Sequence, residues 1–466
     1  MKLKFYLALW AAKFSTFVLK LMGREQDDRP GILIYKICDD FLKYVAKPKI
    51  TVAVTGTNGK STVSSLITDI LREQGYTVSY NDWGANLKAG HCFLMSRSVN
   101  IFNKPVVDAA VLEVDEKTSI DNMSLLQPDY FIVTNICRDS MRRNGHPLYI
   151  KQCIQNTLDS LDETIVILDA DDPISGLLKP KEGHGIYFGV DKEQTEPIPQ
   201  YNIQDFTVCP VCHKTPEYIH HHYLHVGKIH CPNCGLTSPD ADFEGFDFNP
   251  ANRTIMVREN DDSEFKYNLG SSSVFNAFNY MAVISYFRSR GMSKEDLQMY
   301  LNKVALPASR ETKCVINGIE IYTNMCKGQT GSSASVVFEY LSKEDANIEI
   351  VLLVNEEYGH LDGNETITWL YDVDYELLKS DNIKRILVGG PIYADYKLRF
   401  KMAGLPDEKV VCIENEDELI DYVTFDNIDR IYVLHEVNCV TKGRLLKEAI
   451  EKKLREETSY EKSSIN

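Results

Sequence analysis

One short run limits what this chain can fold into more than any other. Thr55-Gly56-Thr57-Asn58-Gly59-Lys60-Ser61-Thr62 follows the β-rich stretch 49–54 (KITVAV) and leads into residues 61–74, whose apolar positions recur at helical spacing. A strand that passes through a glycine-rich turn into a helix gathers backbone N–H groups and a helix N-terminus around one point, where phosphate oxygens bind. Lys60 suits the β- and γ-phosphates and Ser61 a magnesium ion. In the usual phosphate loop a glycine stands where this chain has Val54, so GTNGKS is a compact form. A purely structural glycine turn would need neither Lys60 nor Ser61. Gly56, Thr57, Asn58, Gly59, Lys60, Ser61 and Thr62 are therefore the candidate nucleotide-binding residues.

Further apolar runs at 106–114, 130–133 and 164–168 alternate with helical patterns, which predicts a parallel α/β sheet. Residues 206–243 interrupt the alternation with Cys, His and Pro and read as an inserted module. Residues 273–291 read as one helix ending at Gly291. After Leu306-Pro307 a second α/β segment begins, with strands expected at 350–354, 385–388 and 430–434. A length of 466 residues exceeds one ordinary core. The expected organisation is an N-terminal helical segment 1–48, a central domain 49–305 and a C-terminal α/β domain 306–466. The polar tail 455–466 is expected to be unstructured. A formal net charge of −16 argues against general nucleic-acid binding, which needs Lys and Arg against phosphate backbones.

Cys209-Pro-Val-Cys212 and Cys231-Pro-Asn-Cys234 are paired knuckles separated by 18 residues. Two residues between cysteines let both thiolates of a knuckle face one ion, and four thiolates complete a tetrahedral zinc shell, so the site is structural. The nearby His213, His220, His221, His222, His225 and His230 are read as loop residues. The other cysteines are scattered among the 12 present, which suits a reducing, cytoplasmic compartment. The first 22 residues are apolar and basic, but Lys13 and Lys20 interrupt the run. An amphipathic helix packed on its own domain is expected rather than a signal peptide or a spanning helix, with Phe5, Leu9, Phe17 and Leu21 on one broad face. A basic helix of this kind also suits a membrane surface.

GTNGKST, with Glu113 in VLEVDE and TNICRD at 134–139, resembles the central domain of the Mur ligases and folylpolyglutamate synthases. A zinc ribbon within such a domain narrows the resemblance to the MurT family, the ligase subunits of lipid II isoglutaminyl synthases. Phe275-Asn276-Ala277-Phe278-Asn279, Arg310-Glu311 and the segment Trp369-Leu370-Tyr371-Asp372-Val373-Asp374 resemble further family motifs. The resemblance implies ATP with Mg²⁺ held by Ser61 and Glu113, and nucleotide contacts from Asn276 and Arg310. It implies an acyl phosphate on the α-carboxylate of D-glutamate in the lipid II stem peptide, amidated by ammonia from a GatD-like glutaminase docked on the C-terminal domain as a heterodimer. It also implies an aspartate that completes the glutaminase triad: Asp372 matches best, with Asp374 and Asp362 as rivals. A lipid-linked substrate implies work at the inner membrane face. Lys60, Glu113 and Asp372 are thus the candidate catalytic residues.

The chain departs from the family pattern at 138–146, at Ser309 for glycine, at 327–331, at Ile392 for arginine and at 435–438. Three readings stay open: the amidotransferase's ligase subunit, a Mur-like ligase joining another amine without a glutaminase, and a nucleotide-binding paralogue without catalysis.

Overall fold

The fold is given by a computed structural model that describes residues 2–23, 29–81, 85–138, 146–195, 197–199, 201–305, 311–326, 331–353, 367–436 and 439–464. The chain divides into two compact units. The first comprises Met1–Cys137, His146–Ile198 and Asp205–Leu306; the second comprises Arg138–Gly145, Pro199–Gln204 and Pro307–Asn466.

The first unit is organised by a nine-stranded sheet. Its strands are β1 (Ile50–Thr55), β2 (Val78–Tyr80), β3 (Ala109–Glu113), β4 (Tyr130–Val133), β5 (Ile165–Asp169), β6 (Gly185–Val190), β9 (Phe243–Asn249), β10 (Thr254–Glu259) and β11 (Glu264–Asn268), with β7 (Glu217–Tyr218) and β8 (Ile229–His230) forming a separate hairpin. Their order is β11-β10-β9-β6-β5-β4-β1-β3-β2. Pairing is parallel from β2 to β9 and antiparallel through β9, β10 and β11. All six residues of β1 are buried, as expected of a parallel strand covered on both faces, whose sequence is apolar without alternation. The cysteine-rich insertion leaves the sheet after β6 and returns at β9, two strands that pair with each other. An excursion between neighbouring strands leaves the sheet order undisturbed. The expected helix at 273–291 spans Val274–Ser289, and Gly291 follows it at φ +83°.

The N-terminal helix Lys2–Leu21 buries Phe5, Ala8, Leu9 and Ala12, with Phe5 stacked on Phe41 at 5.0 Å between ring centroids. Phe17 and Leu21 do not share that face: they are 60% and 73% exposed. They belong to a second stripe, Leu3, Leu7, Trp10, Phe14, Phe17 and Leu21, whose three- and four-residue spacing winds along the outer side of the helix. Among the described residues, no helix is long and apolar enough to cross a membrane.

The second unit carries β12 (Glu311–Ile316), β13 (Ile319–Met325), β14 (Ile348–Leu353), β15 (Ile383–Gly389), β16 (Val410–Ile413) and β17 (Arg430–His435) in the order β12-β13-β17-β14-β15-β16. Only the β12–β13 hairpin is antiparallel among the pairings of this sheet. Apolar clusters cover both faces, one around Phe338, Tyr375 and Phe400 and the other around Leu387, Ile431 and Ile450. The tail expected to be unstructured is helical instead, within Val440–Ser464. Charges at its start pair at helical i,i+4 spacing with those of the turn before it, Glu451 with Arg455 and Lys452 with Glu456, which favours the helix.

Candidate nucleotide and metal sites

The phosphate loop lies between β1 and the helix Lys60–Glu73. Gly56 and Gly59 have φ of +122° and +88°. A Cβ on Gly56 would sit 2.3 Å from Thr134 Oγ1, and one on Gly59 would sit 2.1 Å from Asn279 Oδ1. Glycine is required there on both counts, backbone conformation and space. The segment after β4 braces the loop from below. Thr57 N–H donates to Asn135 O at 2.8 Å and Asn58 N–H to Asn135 Oδ1 at 3.1 Å. Thr134 Oγ1 donates to Asn58 O at 2.6 Å, Asn135 Nδ2 donates to the same oxygen at 3.0 Å, and Thr57 Oγ1 donates to Cys137 O at 3.0 Å. These bonds satisfy the N–H groups of Thr57 and Asn58 and the Asn58 carbonyl. The N–H groups of the following helical turn have no intrahelical acceptors and carry the positive end of the helix dipole. TNIC at 134–137 was legible as a motif; its role as the brace emerges from these contacts.

Lys60 Nζ donates to Gly56 O at 2.5 Å and to Glu116 Oε1 at 2.6 Å. Both side chains are nearly buried, at 12% and 2% exposure. Burial pushes the Glu116 carboxyl above its ordinary range, against the opposing charge of Lys60. Glu116 was not singled out in the sequence, although it lies three residues beyond Glu113 in the same VLEVDE run. Glu113 ends β3, where it pairs in register with Val54 of β1. Its backbone is fixed by Asn81 and His91, and among the described residues its carboxylate has no hydrogen-bond partner. A carboxylate at the strand end beside the phosphate loop fits a magnesium ligand by chemistry and place.

Asn276 and Asn279 stand on the helix Val274–Ser289. Asn279 Nδ2 donates to Asn276 Oδ1 at 3.0 Å, and Asn276 Nδ2 donates to Ser271 Oγ at 3.0 Å. Asn279 reaches Gly59 directly, so Asn276 meets the loop through one neighbour. Arg310 lies outside the described residues, as does Asp362.

From the last residue of β5 the chain reads Asp169-Ala170-Asp171-Asp172, all buried. Asp172 accepts from Ile136 N–H at 2.7 Å, which ties it to the bracing segment, and contacts His225 Nε2 at 3.2 Å. Desolvation pulls His225 down, but the hydrogen bond and charge of Asp172 outweigh it and hold the imidazole above its ordinary value. Asp171 is approached by His220 and His222, and burial pushes His222 down to about 4. His220, His221, His222 and His225 do lie in a loop, but they are buried at 2%, 2%, 8% and 3% exposure. They pack the insertion onto the sheet instead of facing solvent.

The four cysteines converge. Their sulfurs all lie within 4.8 Å of one another, with Cys209–Cys234 at 3.6 Å and Cys212–Cys231 at 3.5 Å. A tetrahedral zinc with bonds of about 2.3 Å sets its sulfurs about 3.8 Å apart, so the quartet fits that ion. Each knuckle closes the same way. His213 N–H donates to Cys209 O and Gly235 N–H to Cys231 O, with both donors at positive φ. The Lys214 backbone N–H holds the Cys212 thiol down to about 6, which favours the thiolate that binds metal.

In the second unit, Asp372 ends the short helix Trp369–Asp372 and is half-buried. Asp374 is 3% exposed and accepts from Asn202 N–H at 2.5 Å, while its own N–H donates to Ser335 Oγ at 2.9 Å. Burial raises its carboxyl. Arg399 forks onto both oxygens of Glu376, at 2.9 and 2.8 Å, and onto Val373 O at 2.8 Å. This network orders the segment that carries both aspartates.

The Mur ligase middle domain family matches residues 54–286, half of the chain, and the MurT ligase C-terminal family matches residues 331–438. The chain is 28% identical to the MurT subunit of the glutamine-hydrolysing lipid II isoglutaminyl synthase of Streptococcus pneumoniae, over 96% of this chain and 97% of that one. It is 28% identical to the corresponding subunit of Staphylococcus aureus, over 85% of this chain and 87% of that one. Among solved structures it resembles a pseudomurein peptide ligase type C from Methanothermus fervidus, with TM-score 0.67, 20% identity and coverage of 90% and 84%. It also resembles the MurF ligase of Thermotoga maritima in complex with ADP, with TM-score 0.59, 14% identity and coverage of 92% and 85%. These structural likenesses concern the fold.

Proposed function

The chain belongs to the Mur ligase family, and from that premise we propose that it is the ATP-dependent ligase subunit of an amidotransferase acting on lipid II. The observation that carries the reading is the braced phosphate loop with Lys60 at its mouth and the Glu113 carboxylate at the neighbouring strand end. The reaction begins when a carboxylate oxygen of the D-glutamate residue attacks the γ-phosphorus of ATP, which forms an acyl phosphate and releases ADP. Ammonia then attacks the acyl carbon. The C–N bond forms, phosphate leaves with the C–O electron pair, and the nitrogen loses a proton to give the amide. Lys60 exchanges Glu116 for phosphate oxygens, and its charge counts most where phosphoryl charge develops. A magnesium ion held by Ser61 and Glu113 would neutralise further phosphate charge when bound. Asn276 and Arg310 are assigned to the nucleotide, and the cysteine quartet to a structural zinc.

The ammonia source in this reading is a separate, GatD-like glutaminase docked on the C-terminal domain, 306–466, where Asp372 completes the partner's triad. The name of the relatives, glutamine-hydrolysing synthase subunits, supports a partner. The half-buried position of Asp372 favours it over Asp374, whose carboxylate is committed within its own unit. The exposed stripe of the N-terminal helix, with Trp10, Phe14 and Phe17, supports work at the inner membrane face, where a lipid-linked substrate lies. Changed residues at 327–331 and 435–438 favour one second reading, a family ligase with a different acceptor.

The test is incubation of the chain with lipid II, ATP, Mg²⁺ and ammonium, followed by mass spectrometry of the stem peptide. The expected product carries an amino group in place of one hydroxyl. ATP binding with no product on lipid II would sink the substrate assignment and turn the search to other carboxylates.

A further inference from the structure

We propose a second metal site, built by Asp171, His220 and His222, that takes a zinc-class divalent ion on nitrogen and oxygen donors and is separate from the cysteine quartet. Asp171 follows β5, and the two histidines lie on the loop between β7 and β8. One donor atom from each residue lies within 4.8 Å of the others. His220 Nε2 is 3.4 Å from Asp171 Oδ1, and His222 Nε2 is 3.8 Å from Asp171 Oδ2. A tetrahedral ion with bonds of about 2.0–2.1 Å sets such donors about 3.3–3.4 Å apart, so a small closure completes the set. Imidazole and carboxylate together select zinc-class ions over calcium or magnesium, which prefer all-oxygen shells.

The independent observation is His220 itself. It is 2% exposed, yet among the described residues neither of its ring nitrogens makes a hydrogen bond. A buried imidazole in that condition needs an explanation. With Nε2 on an ion, Nδ1–H faces Asp191 Oδ1, 3.5 Å away. A carboxylate behind the far nitrogen is the usual way a metal-bound histidine is oriented. Asp171 is aimed as well: Val190 N–H holds its Oδ2 at 2.6 Å and leaves Oδ1 towards His220. Two glycines make the approach possible. A Cβ on Gly189 would lie 3.1 Å from Asp171 Oδ2, and one on Gly227 would lie 2.3 Å from His220 O. His222 now bonds Val190 O through Nε2 at 2.7 Å and gives up that bond to join the ion. The fourth position falls to water. Such an ion would pin the insertion to the end of β5, beside the Asp172 that holds the bracing segment of the phosphate loop. The competing arrangement is a metal-free cluster in which His220 stays packed between Asp171 and Asp191.

Metal content distinguishes the two without any assay of activity. The full-length protein is equilibrated with zinc, passed over a chelating resin and analysed by plasma mass spectrometry. Two zinc ions per chain are expected, with Asp171→Asn and His220→Gln each lowering the count to one. One zinc per wild-type chain, or two that Asp171→Asn leaves in place, overturns the proposal. Should the histidine variant not fold, cobalt titration of the wild type decides. Saturation at two equivalents is expected, one with thiolate charge-transfer absorption and one with only the weaker bands of nitrogen and oxygen ligation. An end point at one equivalent overturns the site.

Discussion

The polar side chains of the two units are spent differently. Around the phosphate loop, Thr57, Thr134 and Asn135 satisfy the backbone and leave the first turn of a helix to a ligand. In the C-terminal unit, Arg399, Glu376, Asn202 and Asp374 end on one another and on backbone groups. The first arrangement is stable but incomplete until something anionic arrives; the second is complete as it stands. Substitutions in the first should therefore cost activity more than stability, and substitutions in the second the reverse.

The largest effect expected is on Lys60. Lys60→Ala should lower ATP-dependent turnover by about a thousandfold or more, in line with the loss of a group that meets charge developing in the transition state. Thermal stability should change little, because Glu116, already pushed up by burial, can take a proton once its partner is gone. A fall in melting temperature as severe as the fall in rate would break the contrast and make the pair architectural. Next comes Cys231→Ser, which should release the quartet's zinc and destabilise the insertion by about 4 kcal/mol, the scale of losing a structural metal. Metal analysis and calorimetry would check it; a full zinc content in the variant would remove the quartet assignment. This places one purely architectural site inside the ligand-binding unit and sharpens the rule to the loop alone.

A third effect lies in the second unit. Glu349 is fully buried in β14, with Thr424 Oγ1 at 3.1 Å and Arg385 at 3.7 Å. Burial pushes its carboxyl up to about 7, with Arg385 opposing. The native state then binds the proton more tightly than the unfolded chain, so stability falls as pH rises from about 4.5 to about 7 and is flat above. A shift of that size corresponds to about 3 kcal/mol. Glu349→Gln should abolish this slope in denaturant titrations while ATP binding stays as it was. A slope that persists in the variant would assign the pH dependence elsewhere.

How much of this was legible in advance follows the same division. The phosphate loop and the quartet lie in runs whose chemistry is contiguous, so spacing exposed them, whereas Glu113 came only from the resemblance of its run to the family. Strands β4, β5, β14, β15 and β17 were legible for the same reason, as apolar runs buried on both faces. Glu116 was missed because its partner, Lys60, is 56 residues away and nothing local marks the pairing. The buried histidines were missed because a His-rich loop looks solvated until β5 places Asp171 and Asp172 beneath it. The outer stripe on the N-terminal helix was misread because apolar residues cover two faces, and periodicity cannot say which one packs. The tail's helix depends on charge pairs that a count of polar residues does not weigh.

The smallest expected effect on stability carries the sharpest question about the second unit. Asp372 is half-buried at the end of its helix, and its replacement by asparagine, which keeps the size of the side chain, should change stability less than the loss of the buried Asp374 does. Asp374→Ala removes the acceptor for Asn202 N–H and should cost about 1–3 kcal/mol. The two variants therefore separate structure from partnership. With a glutaminase supplied, Asp372→Asn should lose glutamine-driven amidation and keep ammonium-driven amidation, since only the first needs the triad. If instead Asp374→Ala, compared well below its melting temperature, were the variant that uncoupled glutamine from ammonium, the partner's carboxylate would have to come from the interior of the network. The contrast between an open unit and a closed one would then fail at the place where it matters most for ammonia supply.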